Sequence, residues 1–121
     1  MIRIILGDDH AVIRRGLRLV LEEQEDFEVV GEANDGREAV SLVENLKPDV
    51  AVLDITMPNM NGLEAMRKIF TIDPGAKVIM CSALGQQNLI VEAIKAGVKD
   101  FIVKPFKPER ILSAIEKALR A

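Results

Sequence analysis

Five short apolar runs alternate with five longer segments of helical periodicity, and this alternation restricts the fold more than any other feature of the chain. The runs are Ile2–Leu6, Phe27–Val30, Val50–Leu53, Val78–Cys81 and Phe101–Val103. They are rich in Val and Ile and mostly unbroken by polar residues, as strands buried on both faces are. Between them, apolar side chains recur at helical spacing: Ile13, Leu17, Val20 and Leu21; then Ala39, Val43 and Leu46; then Leu63, Met66 and Phe70; then Ile90, Ala93, Ile94 and Gly97; and finally Ile111, Ile115, Ala118 and Leu119. Punctuation agrees with this division. Asp35 with Glu38, and Asn61 with Glu64, have the spacing of helix N-terminal caps. Pro48 and the Asp73-Pro74-Gly75 turn close two helices, Gly97 suits a left-handed C-cap, and Pro108 sits where a first helical turn accepts it.

Five βα units in 121 residues predict one α/β domain over residues 1–121, with no linker, repeat or second domain. Right-handed crossovers then favour a doubly wound (βα)5 sheet, parallel throughout. Strand order 2-1-3-4-5, that of flavodoxin-like sheets, is the expectation. In such sheets ligands bind beyond the carboxyl ends of the strands. At those ends the chain places Asp8 and Asp9 after the first strand, Asp54 after the third, Ser82 after the fourth and Lys104 after the fifth.

A single Asp at a strand end is commonly a cap or turn residue, and a lone Lys or Ser there is ordinary. Four tips carrying carboxylates, a hydroxyl and an ammonium together are not. Three carboxylates in one pocket repel one another and call for a counter-charge. A hard divalent cation such as Mg²⁺ supplies it and leaves room for a phosphate oxygen. Carboxylates, cation, ammonium and hydroxyl together suit a phosphoryl group, and an Asp can itself be the nucleophile.

With Asp8-Asp9, Asp54 followed by Met57-Pro58 and Gly62, Ser82-Ala83, and Lys104-Pro105-Phe106, essentially the whole chain resembles the receiver domain of bacterial two-component response regulators. Residues 59–106, with Cys81-Ser82-Ala83-Leu84-Gly85-Gln86-Gln87, are similar to CheY-like chemotaxis regulators. Residues 7–17 and 29–33 look more like receivers fused to DNA-binding domains. The resemblance implies that Asp54 is the phosphoacceptor, and that Asp8, Asp9, Asp54 and the backbone carbonyl of Thr56 hold Mg²⁺. It implies that Lys104 pairs with the phosphoryl group, that Ser82 moves to hydrogen-bond it, and that Phe101 occupies the aromatic switch position. It further implies a cis Lys104–Pro105 bond, a sensor histidine kinase as donor, and a protein target on the face of the fourth helix, fifth strand and fifth helix. The chain is expected to assist its own phosphorylation and dephosphorylation rather than act as an enzyme, as a monomer or a phosphorylation-dependent dimer. The chain departs from the common pattern at Phe101, which has no phenolic hydroxyl, at Ser82, where many relatives carry Thr, and at Gly7 beside the acidic pair.

Other functions fit less well. An aspartyl-nucleophile phosphohydrolase would carry its nucleophile after the first strand with a second Asp two residues on, where this chain has His10. A flavin or nucleotide binder lacks its Gly-rich loop here, and there is no Trp or Tyr to stack on a flavin ring. A receiver of a DNA-binding regulator remains the alternative; a net charge of −3 and an end at Ala121 argue against nucleic-acid binding by this chain alone. The single Cys forms no internal disulfide, no run is long enough to span a membrane, and the expected location is the cytoplasm. Cys81 reads as a core residue. His10 reads as a partly exposed residue of the first helical turn, with approach to the pocket as its other possibility.

Overall fold

A computed structural model describes residues 1–120. The elements run β1 (Ile2–Gly7), α1 (Ala11–Glu22), β2 (Phe27–Ala33), α2 (Gly36–Leu46), β3 (Val50–Asp54), α3 (Gly62–Ile72), β4 (Val78–Ser82), α4 (Gln87–Ala96), β5 (Asp100–Val103) and α5 (Pro108–Arg120). The five strands are parallel, in the order β2-β1-β3-β4-β5 expected from the alternation.

Side-chain alternation along the strands sorts the core into two layers. Ile4, Leu6, Val50, Val52, Ile79, Cys81 and Ile102 pack with Leu17 and Leu21 of α1 and Ile111, Ala114, Ile115 and Ala118 of α5. Ile5, Ala51, Leu53, Val78 and Met80 point the other way, onto α2, α3 and α4. The helices therefore divide two and three across the sheet, which is what four right-handed crossovers in this strand order produce, with α5 packing back on the sheet beside α1.

Local chemistry sets the helix ends where the sequence placed them. Asp35 accepts from the Glu38 backbone N–H at 2.9 Å. Asn61 and Glu64 form a reciprocal capping box. Gly97 ends α4 at φ 110°, and Pro108 opens α5.

Three expectations are adjusted. The second strand continues to Ala33, three residues past its apolar run. Its pairing with β1 slips between Ile4 and Ile5, so that Val29 and Gly31, two residues apart, oppose consecutive residues. Beyond the slip, Leu42 and Leu46 of α2 press on Gly31, where a Cβ would lie 3.1 Å from a Leu42 methyl. Ile13 and Ile94 belong to the apolar stripes but are exposed. Ile13 lies in the first turn of α1 and borders an open apolar hollow of about 290 Å³ with Phe106, Pro108 and Ile111. Helix α4 buries Ile90 and Ala93 and turns Val91 and Ile94 outward.

The start of β5 is fastened to α5 by Arg110. Its guanidinium forms a forked pair with Asp100 (3.1 and 3.2 Å) and donates to the Phe101 carbonyl at 2.8 Å. Burial raises the Asp100 pKa, but the Arg110 hydrogen bonds outweigh it and hold the carboxyl below its ordinary range. A folded-state pKa below the unfolded value, about 3.9, gives stability that is complete above that value and lost as pH falls through the folded one. Urea unfolding of wild type and Arg110→Met is therefore expected to differ at pH 7 and to converge as pH drops below 4. A difference that persists undiminished at pH 2 would show that the pair contributes nothing electrostatic.

Candidate functional site

The carboxyl edge of the sheet gathers Asp8, Asp54, Ser82 and Lys104 because each ends, or directly follows, one of four adjacent strands. Gly7 pairs with Leu53, Asp54 with Cys81 and Ser82 with Val103, so the tips stand in register. Asp54 is 7% exposed and Asp8 3%. The Lys104 ammonium lies between them, 2.7 Å from Asp54 Oδ2 and 3.0 Å from Asp8 Oδ2. Asp54 Oδ1 accepts the Thr56 backbone N–H at 3.2 Å. Asp8 Oδ1 accepts the His10 backbone N–H at 2.9 Å.

These surroundings push the two carboxyls apart. Burial raises the Asp54 pKa above its ordinary value; Lys104 opposes the rise and the Asp8 charge adds to it. Asp8 is buried too, but its hydrogen bonds from His10 and Lys104 outweigh burial and hold its pKa below the usual range. Burial alone would lower the Lys104 pKa; hydrogen bonds to Asp54 and Asp8 reverse this and keep the ammonium protonated. The environment therefore favours the protonated form of Asp54 and the charged form of Asp8 relative to their ordinary values.

Asp9 is exposed at the rim, 3.1 Å from His10 Nδ1, which also lies 2.9 Å from Asp8 Oδ1. His10 combines its two sequence readings: it is the N-cap residue of α1, exposed, with its ring against the acidic pair. Ligand atoms of Asp8, Asp9, His10 and Asp54 all fall within 4.8 Å of one another. Three carboxylates face a single lysine, and their donors are hard oxygens. That donor set fits a hard divalent cation.

Ser82 is fully buried, and its Oγ has no hydrogen-bond partner among the described residues. Leaving a buried hydroxyl unpaired costs about 1–3 kcal/mol. Phe101 is not in the carboxylate cluster. It opposes Met80 in the sheet, and strand alternation puts it on the same face as Ser82 and Val103, toward α4, where it packs half-buried on the core. The Lys104–Pro105 bond is cis. Cys81 is buried in the opposite layer and burial pushes its thiol up to about 12, so it supplies no thiolate.

The family description "response regulator receiver domain" matches residues 4–116. The chain belongs to the response regulator receiver family. It is 52% identical to the chemotaxis protein CheY of Listeria monocytogenes over 120 residues, covering 99% of this chain and 100% of that one. Its structure matches the response regulator domain of Thermotoga maritima CheB at TM-score 0.93 and 38% identity, covering 100% of this chain and 98% of that one. It also matches a chain of the CheX–CheY–BeF3–Mg²⁺ complex of Borrelia burgdorferi at TM-score 0.87 and 35% identity, covering 93% and 85%. This receiver is a phosphorylation-dependent switch of two-component signalling, homologous to CheY.

Two residues around the receiver's site escaped the sequence reading. Arg14, one turn after His10 on α1, donates to the Asp8 backbone carbonyl and pairs with Glu32 of β2 at 3.2 Å. Gln86 joins the loops after β3 and β4, and nothing in its sequence position marks it.

Gly62 sets how closely α3 approaches the site: a Cβ there would lie 2.1 Å from the Asp54 carbonyl oxygen. Gly62→Ala is expected to lose about 2 kcal/mol or more in urea unfolding through this clash. Lys104→Met is expected to raise the Asp54 carboxyl pKa further, because burial then acts without its counter-charge; ¹³C NMR titration of metal-free protein reads it directly. An unchanged Asp54 titration would mean that Lys104 does not set its charge.

Proposed function

We propose that residues 1–121 form one receiver domain in which Asp54 accepts a phosphoryl group from the phosphohistidine of a sensor histidine kinase. An Asp54 oxygen forms the new P–O bond as the P–N bond to the donor imidazole breaks, and the released imidazole takes up a proton. The carboxylates of Asp8, Asp9 and Asp54 and the Thr56 carbonyl hold Mg²⁺. When bound, the cation supplies positive charge against the phosphoryl oxygens. Lys104 stays protonated and pairs with the same oxygens, releasing its hold on Asp54. Ser82 donates its hydroxyl to a phosphoryl oxygen.

The observation that carries this reading is the orphaned Ser82 hydroxyl, buried one residue beyond the strand position that pairs with Asp54. A partner gained in a second state removes this cost. A phosphoryl group on Asp54 is an acceptor of the right charge. The Borrelia CheY, whose complex contains BeF3 and Mg²⁺, is a relative in keeping with it.

Output follows from the same sheet face. Phe101 shares that face with Ser82, and having no hydroxyl it switches by ring burial. Val91 and Ile94, exposed on α4, present apolar surface beside β5. A protein target docks on the α4–β5–α5 face, the output face that the resemblance to receivers implies. The net charge of −3 disfavours nucleic acid as the partner. No described helix is long and apolar enough to cross a membrane, and we place the receiver in the cytoplasm.

Incubation with acetyl phosphate and Mg²⁺, followed by intact-mass measurement, is expected to add one hydroxylamine-sensitive phosphoryl group. The adduct is expected to be missing in Asp54→Asn and in wild type treated with a chelator. A stable adduct on Asp54→Asn would place the acceptor elsewhere and overturn the assignment.

A further inference from the structure

Between the loop that follows Asp54 and the loop that follows Ser82 runs a single side chain, Gln86. Its Oε1 accepts the Ala83 backbone N–H at 2.7 Å, and its Nε2 donates to Thr56 Oγ1 at 2.8 Å. Thr56 in turn donates its backbone N–H to Asp54 Oδ1 at 3.2 Å. The backbone N–H next to the orphaned Ser82 hydroxyl is therefore linked to the carboxylate of Asp54 through two side chains and three hydrogen bonds.

The cost of this strap falls on α4. Gln86 is the N-cap residue of α4, yet its side chain makes no cap, and Gln is a poor capping residue. Gly85, at φ 91°, provides the turn that folds Gln86 back over the loop. Helix α4 thus begins without a side-chain cap, fastened instead to the loop after β3. Gln86 itself is half-buried, but both of its hydrogen bonds are exposed, so water offsets part of their loss.

We propose that Gln86 is a positioning residue of the phosphorylation site, a strap that holds the loop after β4 and the start of α4 in the resting arrangement. The inference rests on the proposed role of Asp54. Moving Ser82 and Ala83 toward a phosphoryl group on Asp54 breaks the Ala83 and Thr56 hydrogen bonds of Gln86. They are bonds of the resting state alone, so removing them favours the phosphorylated arrangement. A residue that merely braced the loop would have the opposite effect, because its loss would weaken anion binding.

The test is binding of beryllium trifluoride in the presence of Mg²⁺, followed by ¹H–¹⁵N NMR titration; the chain has no Trp or Tyr to report by fluorescence. Gln86→Met keeps the length of the side chain and removes both hydrogen bonds. It is expected to bind the probe about five- to tenfold more tightly than wild type, the size two ordinary hydrogen bonds support. Thr56→Val leaves the Thr56 backbone intact, and Gln86→Met made in that background is expected to add less than it does alone. Gln86→Ala gives the same readout if the Met side chain packs into the loop. Unchanged or weaker binding by both Gln86 variants, with wild type binding normally, overturns the strap and leaves the phosphorylation reading standing. Fully additive effects of Gln86→Met and Thr56→Val also overturn it. Failure of wild type to bind the probe overturns both.

Discussion

The structure depends on holding two buried carboxylates side by side at the end of a parallel sheet. Asp8 and Asp54 stand on neighbouring strands with little access to water, and the ammonium of Lys104 touches both. Two like charges in low dielectric repel strongly, and each pays for its own desolvation. One lysine offsets part of this and cannot offset all of it. Burial raises the pKa of Asp54 and the Asp8 charge adds to the rise, while the His10 ring lies against the acidic pair. That imbalance suits this edge to a cation.

Everything else in the fold brings these groups to one edge and keeps them there. Parallel strands put all their carboxyl ends together, and one-residue alternation on each strand separates the two core layers beneath. Close approach of the loops needs missing side chains. Gly36 leaves no room for a Cβ against the Met60 carbonyl, nor Gly62 against that of Asp54. The loop after β3 is pinned further by the Gly36 N–H to the Met60 carbonyl and the Gly62 N–H to the Ile55 carbonyl, both at 2.8 Å. The loop after β3 is therefore pinned on the α2–α3 side, while a single side chain, Gln86, fastens the loop after β4 to it.

That contrast explains what could be read from residues alone. Strands, helices and caps were legible because hydrophobic period and capping chemistry are local. The tips were legible because the sheet rule turns sequence position into spatial convergence for Asp8, Asp54, Ser82 and Lys104. The far end of β2 was not: Gly31, Glu32 and Ala33 carry no apolar run, and their pairing depends on a slip in register and on Leu42 pressing from α2. Exposure of Ile13 and Ile94 was hidden because periodicity gives a helix face without saying how far the sheet extends beneath it. Gln86 was hidden for a different reason. Its partners, Ala83 and Thr56, meet only when two loops fold over the same edge, and Gln has no preference for such a position. The receiver resemblance assigned roles to the strand-tip residues but carried no information on this link.

The route from site to surface can be followed in the same terms. Ser82 is the last residue of β4, and Phe101 lies two residues before Val103, its neighbour across the ladder. Alternation sends all three toward α4. In the proposed switch, a shift of Ser82 toward Asp54 changes the room at the top of that face, where Phe101 is half-buried. The ring is not free to drift, because Arg110 grips both the Phe101 carbonyl and Asp100 and ties the strand to α5. With the backbone fixed, the ring's change is confined to its torsions. In the proposed switch, a fixed strand leaves the torsions of the Phe101 ring as the coordinate that changes. The absence of a hydroxyl on Phe101 sharpens this, since its inward position sacrifices no hydrogen bond to water.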